Sequence, residues 1–392
     1  MPTRRGLLNA LFPCLDPGTP GATPTTLVTV FLRGGADGLN MVVPYADADY
    51  ARLRPSLAIA PPGEGAGSCL DLDGFFGLHP SFSPLLPAWK DERLAIVHAV
   101  GSDDPTRSHF EAQDQMEYGA AYGQRVGGGW VARHLRARGA AGSLAAVAIG
   151  TQVPEALRGA PSAAAMTALH ELELRRVDGA RDVVIDALGA LYADDPLVKQ
   201  AGLDTLDLMR RVVALGSEAE EVGDAYPRGG YGQGLRDVAR LIKAGVGLRV
   251  ACLDLGGWDT HFFQGSSTGL QAGRIDELSK GLAAFQDDLG RCREHVVVVV
   301  MTEFGRRAHE NASLGTDHGR GSVMLVLGDG LRGGKVHGRW PGLSEQALEG
   351  PGDLAVTTDY RAVLAEVLTR VSGAPPASVF PRYEPRPVGL LG

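Results

Sequence analysis

The run VVVVVM at residues 296–301 restricts the fold more than any other stretch of this chain. β-Branched side chains disfavour helix, and an unbroken apolar run leaves neither face of a strand for water. Such a strand needs cover on both sides, which a sheet between two helix layers supplies. Other runs repeat the demand: TLVTVFLRGG at 26–35, RLAIVHAV at 93–100, AAVAIG at 145–150, LRVACLDLGG at 248–257 and VMLVLG at 323–328. Between them, helical spacing places Leu235, Val238, Leu241 and Ile242 on one face, and Leu278, Leu282, Phe285 and Leu289 on another. Asp359 reads as the N-cap of a last helix bearing Val363, Leu364, Val367, Leu368 and Val371. A short helical piece is expected around Pro84–Trp89, with Pro84 at its first position. The alternation predicts an α/β fold, a three-layer doubly wound sheet with helices on both faces. Residues 160–225, rich in Ala and Leu, break the rhythm and read as a helical insertion. The domain is therefore expected over 26–392, behind an N-terminal arm at 1–25.

Charge and composition exclude several classes of partner. The formal net charge is -8 and no long basic run occurs, so a nucleic-acid backbone is not an expected ligand. No apolar stretch reaches the roughly 18 to 20 residues that span a bilayer. The four cysteines, Cys14, Cys69, Cys252 and Cys292, form no C-x-x-C and read as free thiols. Arg4-Arg5 followed by Leu7-Leu8 resembles the start of a twin-arginine export signal. The apolar part is short, holds Asn9 and Pro13, and ends without a small-x-small cleavage site. The segment reads either as a degenerate signal or as a plain arm, and the chain as cytoplasmic or, alternatively, exported to the periplasm.

In sheets of this kind, ligands collect at the carboxyl ends of the strands. Asp37 follows the first strand, and Thr106, Ser108 and His109 follow the second. LDLGGWDTHFFQ delivers Asp259 and His261, TEFGRR delivers Glu303 and Arg306, and GTDHGRG places Asp317, His318 and Arg320 just before the 320s strand. Carboxylates and imidazoles converging at one edge suit one or two divalent cations with mixed oxygen and nitrogen ligands. A hydroxyl nucleophile and arginines beside them suit an oxyanion such as phosphate. Each residue alone has a plainer role: Asp37 before a glycine is a common turn residue, and Glu303 could pair with Arg306 or Arg307. His98 and His295, in or beside apolar strands, read as packing residues. It is the joint pattern at five strand ends that points to a site.

The pieces FLRGGADGLNMVVPY, GLHPSFSPLLPAWKDERLAIVHAVGSDDPTRSHFEAQDQMEYG, GGWDTHFFQ, MTEFGRRAHEN, GTDHGRGSVMLVLG and GGKVHGRWPGL, in this order, cover about residues 26 to 373. Together they resemble the bacterial domain-of-unknown-function family 1501, within the alkaline phosphatase and sulfatase superfamily. That resemblance implies an alkaline phosphatase-like fold and a metal-dependent hydrolase of phosphate esters, with sulfate esters second. The alternative is a catalytically silent member that binds a metal, a glycan or a partner protein. By resemblance, Asp259, His261 and His318 hold one divalent metal (Zn, Mn or Mg), while Asp37 and Glu303 hold a weaker second one, with Asp317 beside them. Ser108, or else Thr106, stands where the nucleophile belongs, with His109 to assist; Arg306 or Arg320 would orient the anionic ester. Three departures bear on this, the first being that Asp259 and His261 are closer in sequence than the superfamily's usual pair. Glu303-Phe304 replaces the superfamily's usual Asp-His, which removes an imidazole, and no cysteine lies in the C-x-P-x-R context that formylglycine sulfatases use.

Overall fold

A computed structural model of the chain describes residues 25–139, 144–169 and 225–391, with isolated positions between 187 and 206. In chain order, β1 (Thr26–Leu32) leads to a small antiparallel sheet of β2 (Val42–Val43), β3 (Leu70–Asp71) and β4 (Gly77–Leu78). The main sheet continues with β5 (Leu94–Gly101), β6 (Ala146–Ile149), β7 (Ala164–Met166), β8 (Val250–Leu255) and β9 (Val296–Thr302). β10 (Ser322–Leu327), β11 (Lys335–His337) and β12 (Thr358–Asp359) complete it. Its order is β11-β5-β10-β9-β1-β8-β6-β7, with β12 also on β5. β10 runs antiparallel to both β9 and β5, and the other pairs are parallel. The reversed strand matters for function. It brings the loop before β10 to the edge where β1, β5, β8 and β9 end.

The valine run does what its composition demands. Val296, Val298 and Val300 of β9 enter one core with Val28, Val30 and Leu32 of β1. The longer helices among the described residues are α1 (His109–Tyr118), α2 (Trp130–Ala137), α3 (Gly230–Lys243), α4 (Leu270–Leu289) and α5 (Tyr360–Ser372). Leu235 from α3 and Leu278, Leu282 and Phe285 from α4 cover that face. Val297, Val299 and Met301 face the other core with Leu27 and Phe31, covered by Val363, Leu364, Val367 and Leu368 of α5. Asp359 caps α5 by accepting from the Arg361 N–H, and Gly373 closes it in the left-handed conformation that glycine adopts freely.

Two local expectations need correction. The helical piece near Pro84 begins at Pro80 as a 3-10 turn, and the α-helix proper is Leu86–Lys90, so Pro84 lies inside the turn. At the start of the expected insertion, Ala164–Met166 pairs with β6 as an edge strand, too short and alanine-rich to show a period. Most of the insertion, and the arm at 1–24, lie outside the described residues. Among the described residues, no helix is long and apolar enough to cross a membrane. Cys69, Cys252 and Cys292 are buried.

His98 is a packing residue, stacked on Phe76 and edge-on to Trp340, with Nε2 against the Val42 carbonyl. Burial pulls its pKa down to about 4. Between pH 6.5 and 4 the unfolded chain therefore binds a proton that the fold refuses, so stability falls as pH falls through that window. The drop is about 1.4 kcal/mol per unit. Urea midpoints at pH 7 and pH 5 test this: His98→Gln should flatten the decline between them, and an unchanged decline would clear His98 of the effect.

Candidate metal centre

Two loops meet where β1 and β8 end. Gly34 has φ +121, and a Cβ there would fall 2.5 Å from the Asp259 backbone nitrogen, so only glycine permits this approach. The contact fixes Asp259 beside the start of α1, where His109 is the first residue. The loop before β10 brings His318 from the other side.

Four side chains converge. Asp259 Oδ1 lies 3.1 Å from His261 Nε2, 3.3 Å from His318 Nε2 and 3.5 Å from His109 Nε2. The ligand atoms of His109, Asp259 and His318 all lie within 4.8 Å of one another, and His261 Nε2 is 2.9 Å from His318 Nε2. The far nitrogen of each ring faces a fixed acceptor. His109 Nδ1 is 2.8 Å from Glu303 Oε1, His261 Nδ1 is 3.2 Å from Asp317 Oδ1, and His318 Nδ1 is 2.8 Å from the Arg107 carbonyl. Arg107 sits at φ +54, a strained backbone for a non-glycine residue, which aims that carbonyl at the ring. Acceptors at Nδ1 place the neutral ring's proton there. The Nε2 atoms of His109 and His318 and a carboxylate oxygen of Asp259 then share one small space, with His261 Nε2 against His318 and Asp259, and His109 Nε2 is buried with no hydrogen-bond partner among the described residues. Such a set repels itself unless a cation is shared, and an outward acceptor on each imidazole is how metal ligands are held. The donors fit a divalent metal of the zinc or manganese kind better than an all-oxygen magnesium site.

The electrostatics agree. Burial alone would raise the Asp259 carboxyl, but the hydrogen bond and charge of Arg306, 2.7 Å away, hold it down to about 2, with His318 and His261 assisting. Glu303 is likewise below its usual range: burial opposes this, and the bonds from His109, Gln113 and Gly34 overcome it. That Glu303 bond, working against burial, raises His109, while burial lowers His318.

The expected carboxylates and histidines divide into three groups. Asp259, His261 and His318 come together, and His109, expected as a helper of the nucleophile, joins them as a fourth donor. Glu303 and Asp317, expected as ligands of a second metal, stand behind His109 and His261. Glu303 is buried and its oxygens accept from Gly34 N, His109, Gln113 and Thr302. Asp37 is not in the cluster. It is fully buried in a two-pronged pair with Arg54 at 2.5 and 3.0 Å, and Gln264 donates to it at 2.7 Å. Every oxygen of Asp37 and Glu303 accepts from an N–H or O–H donor. Phe304 fills the gap, its ring 4.9 Å from His109 and 4.8 Å from His318.

Arg306, expected to bind substrate, is fully buried. It donates to the carbonyls of Gly34, Gly35, Trp258 and Thr316 as well as to Asp259, bonds that turn the guanidinium toward the protein interior. Arg320 bonds Glu349 and the Ser102 carbonyl, and its Nε has no partner among the described residues. Thr106 Oγ1 accepts from Ser108 N, and Ser108 occupies the N-cap of α1 without a capping bond from its side chain. Arg54, Gln113 and Gln264 escaped the sequence reading. Gln113 alone had a visible cue, its place four residues after His109 on one helix face.

A mixed α/β sheet with a His/Asp donor cluster at its strand ends defines a class of candidate metal-binding proteins. Within that class the chain belongs to a known family: the model described as "Protein of unknown function (DUF1501)" matches residues 24–374. No curated protein matches at a significant level. Among solved structures, the chain is similar to the C-terminal periplasmic domain of EptC from Escherichia coli in complex with Zn. Identity there is 11%, coverage 93% of this chain and 89% of that one, and the TM-score 0.37. It is also similar to alkaline phosphatase from the Antarctic bacterium TAB5 (9% identity, 79% and 92% coverage, TM-score 0.30). A 2-O GAG sulfatase gives 11% identity, 80% and 66% coverage and a TM-score of 0.30. Likenesses this distant carry no chemistry to this chain.

Proposed function

We propose that the chain is a metal-dependent hydrolase of phosphate esters, with sulfate esters as the second class. The observation that carries this is the convergence of three outward-anchored imidazole nitrogens on Asp259 at the strand ends. A divalent cation held by His109, Asp259, His261 and His318 would neutralise charge on the ester oxyanion and lower the pKa of the attacking group. The residues around it have separable tasks. Glu303, Asp317 and the Arg107 carbonyl orient the imidazoles, and Arg306 keeps Asp259 ionised. Ser108, whose hydroxyl is unused as a cap, is the first candidate nucleophile; Thr106 is second, because its oxygen already serves a turn. The N-terminal amides of α1 favour an anion beside Ser108, and Arg320 has a donor left to orient it.

One feature favours the silent alternative: four protein donors can close a tetrahedral shell and leave no open position. Against closure, the Asp259 side chain is 49% exposed, so solvent and substrate reach the cluster. Aryl-phosphate and aryl-sulfate turnover by protein carrying measured metal separates the two readings. Ser108→Ala is expected to retain metal and lose turnover. Full activity in that variant would move the attack to water, and no turnover by any metal-loaded form would leave the silent reading.

A further inference from the structure

A cavity of about 580 Å³ opens between the ends of β1, β8 and β6 and one face of α1. No role assigned above uses it. Its wall continues the centre along the helix: His109, Gln113 and Glu117 are spaced four apart, so they follow one another turn by turn. At 1.5 Å per residue, Gln113 and Glu117 lie about 6 Å and about 12 Å along the axis from His109. Hydrogen bonds join the two places. Glu303 accepts from His109 and from Gln113 Nε2, and Gln113 Oε1 accepts from Arg33 at 3.3 Å.

The cavity's two guanidinium groups are paired with carboxylates of its own wall. Arg33 is shared among Gln113, Glu117 and Asp254, and Arg158 pairs with Glu155 at 2.5 Å. Acceptors are left over. The Asp254 side chain is 54% exposed, Asp114 is exposed, and Glu155 Oε2 is buried with no hydrogen-bond partner among the described residues. Two guanidinium groups thus face the carboxylates of Asp114, Glu117, Glu155 and Asp254. An anion entering there meets net repulsion from four carboxylates against two guanidinium groups, whereas hydroxyl or ammonium groups meet ready acceptors.

We propose that this cavity receives the alcohol half of the ester, and that this half is a donor-rich, non-anionic group such as a polyol or an amino sugar. The inference rests on the hydrolase reading for the word ester alone; the binding site stands on the cavity itself. Its volume is that of an ordinary small-molecule pocket. The group would reach along α1 from the metal centre toward Glu117.

Saturation-transfer NMR on the full-length, metal-bearing protein tests this with glucosamine and gluconate, sugars of similar size and opposite charge. Glucosamine is expected to bind, and gluconate at least about tenfold more weakly. Asp254→Lys should narrow or reverse that preference, and Asp114→Lys, on the exposed side of α1, should do so in the same direction if the first variant does not fold. Equal binding, a preference for gluconate, or no binding of either probe by the parent protein overturns the proposal. The readout needs no turnover. Failure of every aryl ester to react would sink the hydrolase reading and leave this result standing, and the converse also holds.

Discussion

His109→Ala is expected to strip the purified protein of its divalent metal, from about one equivalent per chain to a small residue after dialysis. The variant removes the imidazole of the cluster whose inner nitrogen is buried without a hydrogen-bond partner among the described residues. Glu303→Gln should act in the same direction but more weakly, with metal affinity reduced about 10- to 100-fold, the usual cost of losing an outer partner. The amide still accepts from His109 Nδ1, yet it loses the charge that makes the ring a stronger donor to metal. The order of the two variants is the test. Elemental analysis beside circular dichroism should show both folded, His109→Ala emptied and Glu303→Gln intermediate. Metal retained in full by folded His109→Ala would remove that residue from the centre and return it to the role of a nucleophile's helper.

Much of this architecture was legible because burial on two faces leaves a plain mark. VVVVVM and TLVTVFL could only be central strands, and Asp359 could be read as a cap because capping is local. The loops were harder. A sequence shows that Asp37, Asp259, Glu303 and His318 all stand at strand ends, but not which way each carboxylate turns. Asp37 turns inward to Arg54, a partner seventeen residues on that belongs to no motif, and Glu303 turns toward His109 and away from open solvent. Arg306 has the same history: an arginine after a strand end suggests an anion, yet five backbone and side-chain acceptors close around this one. His109 was seen as a ring beside a serine. Its place in the centre depends on the angle at which α1 leaves β5, which no local spacing encodes.

The inward turn of Asp37 has its own measurable consequence. Asp37→Ala is expected to lower stability by about 3 to 5 kcal/mol, because it leaves the Arg54 guanidinium buried without its counter-charge. Both side chains have 0% exposure, so water cannot screen the loss. Arg54 also donates to the Ala308 and Arg307 carbonyls and to Asn40, bonds that keep it in place and forbid its escape to solvent. Asp37→Asn separates charge from shape: it can still accept from Arg54 but must turn an amide N–H toward Arg54 or Gln264, so a substantial part of the loss remains. Replacing the pair together, Asp37→Leu with Arg54→Met, should cost less than the sum of the single changes, since neither charge is then left alone. Denaturant midpoints give the stability, and elemental analysis on the same samples gives the metal. The expected outcome is a lower midpoint with metal retained. Metal lost from Asp37→Asn at an unchanged midpoint would make Asp37 a ligand and favour a second site at Asp37 and Glu303.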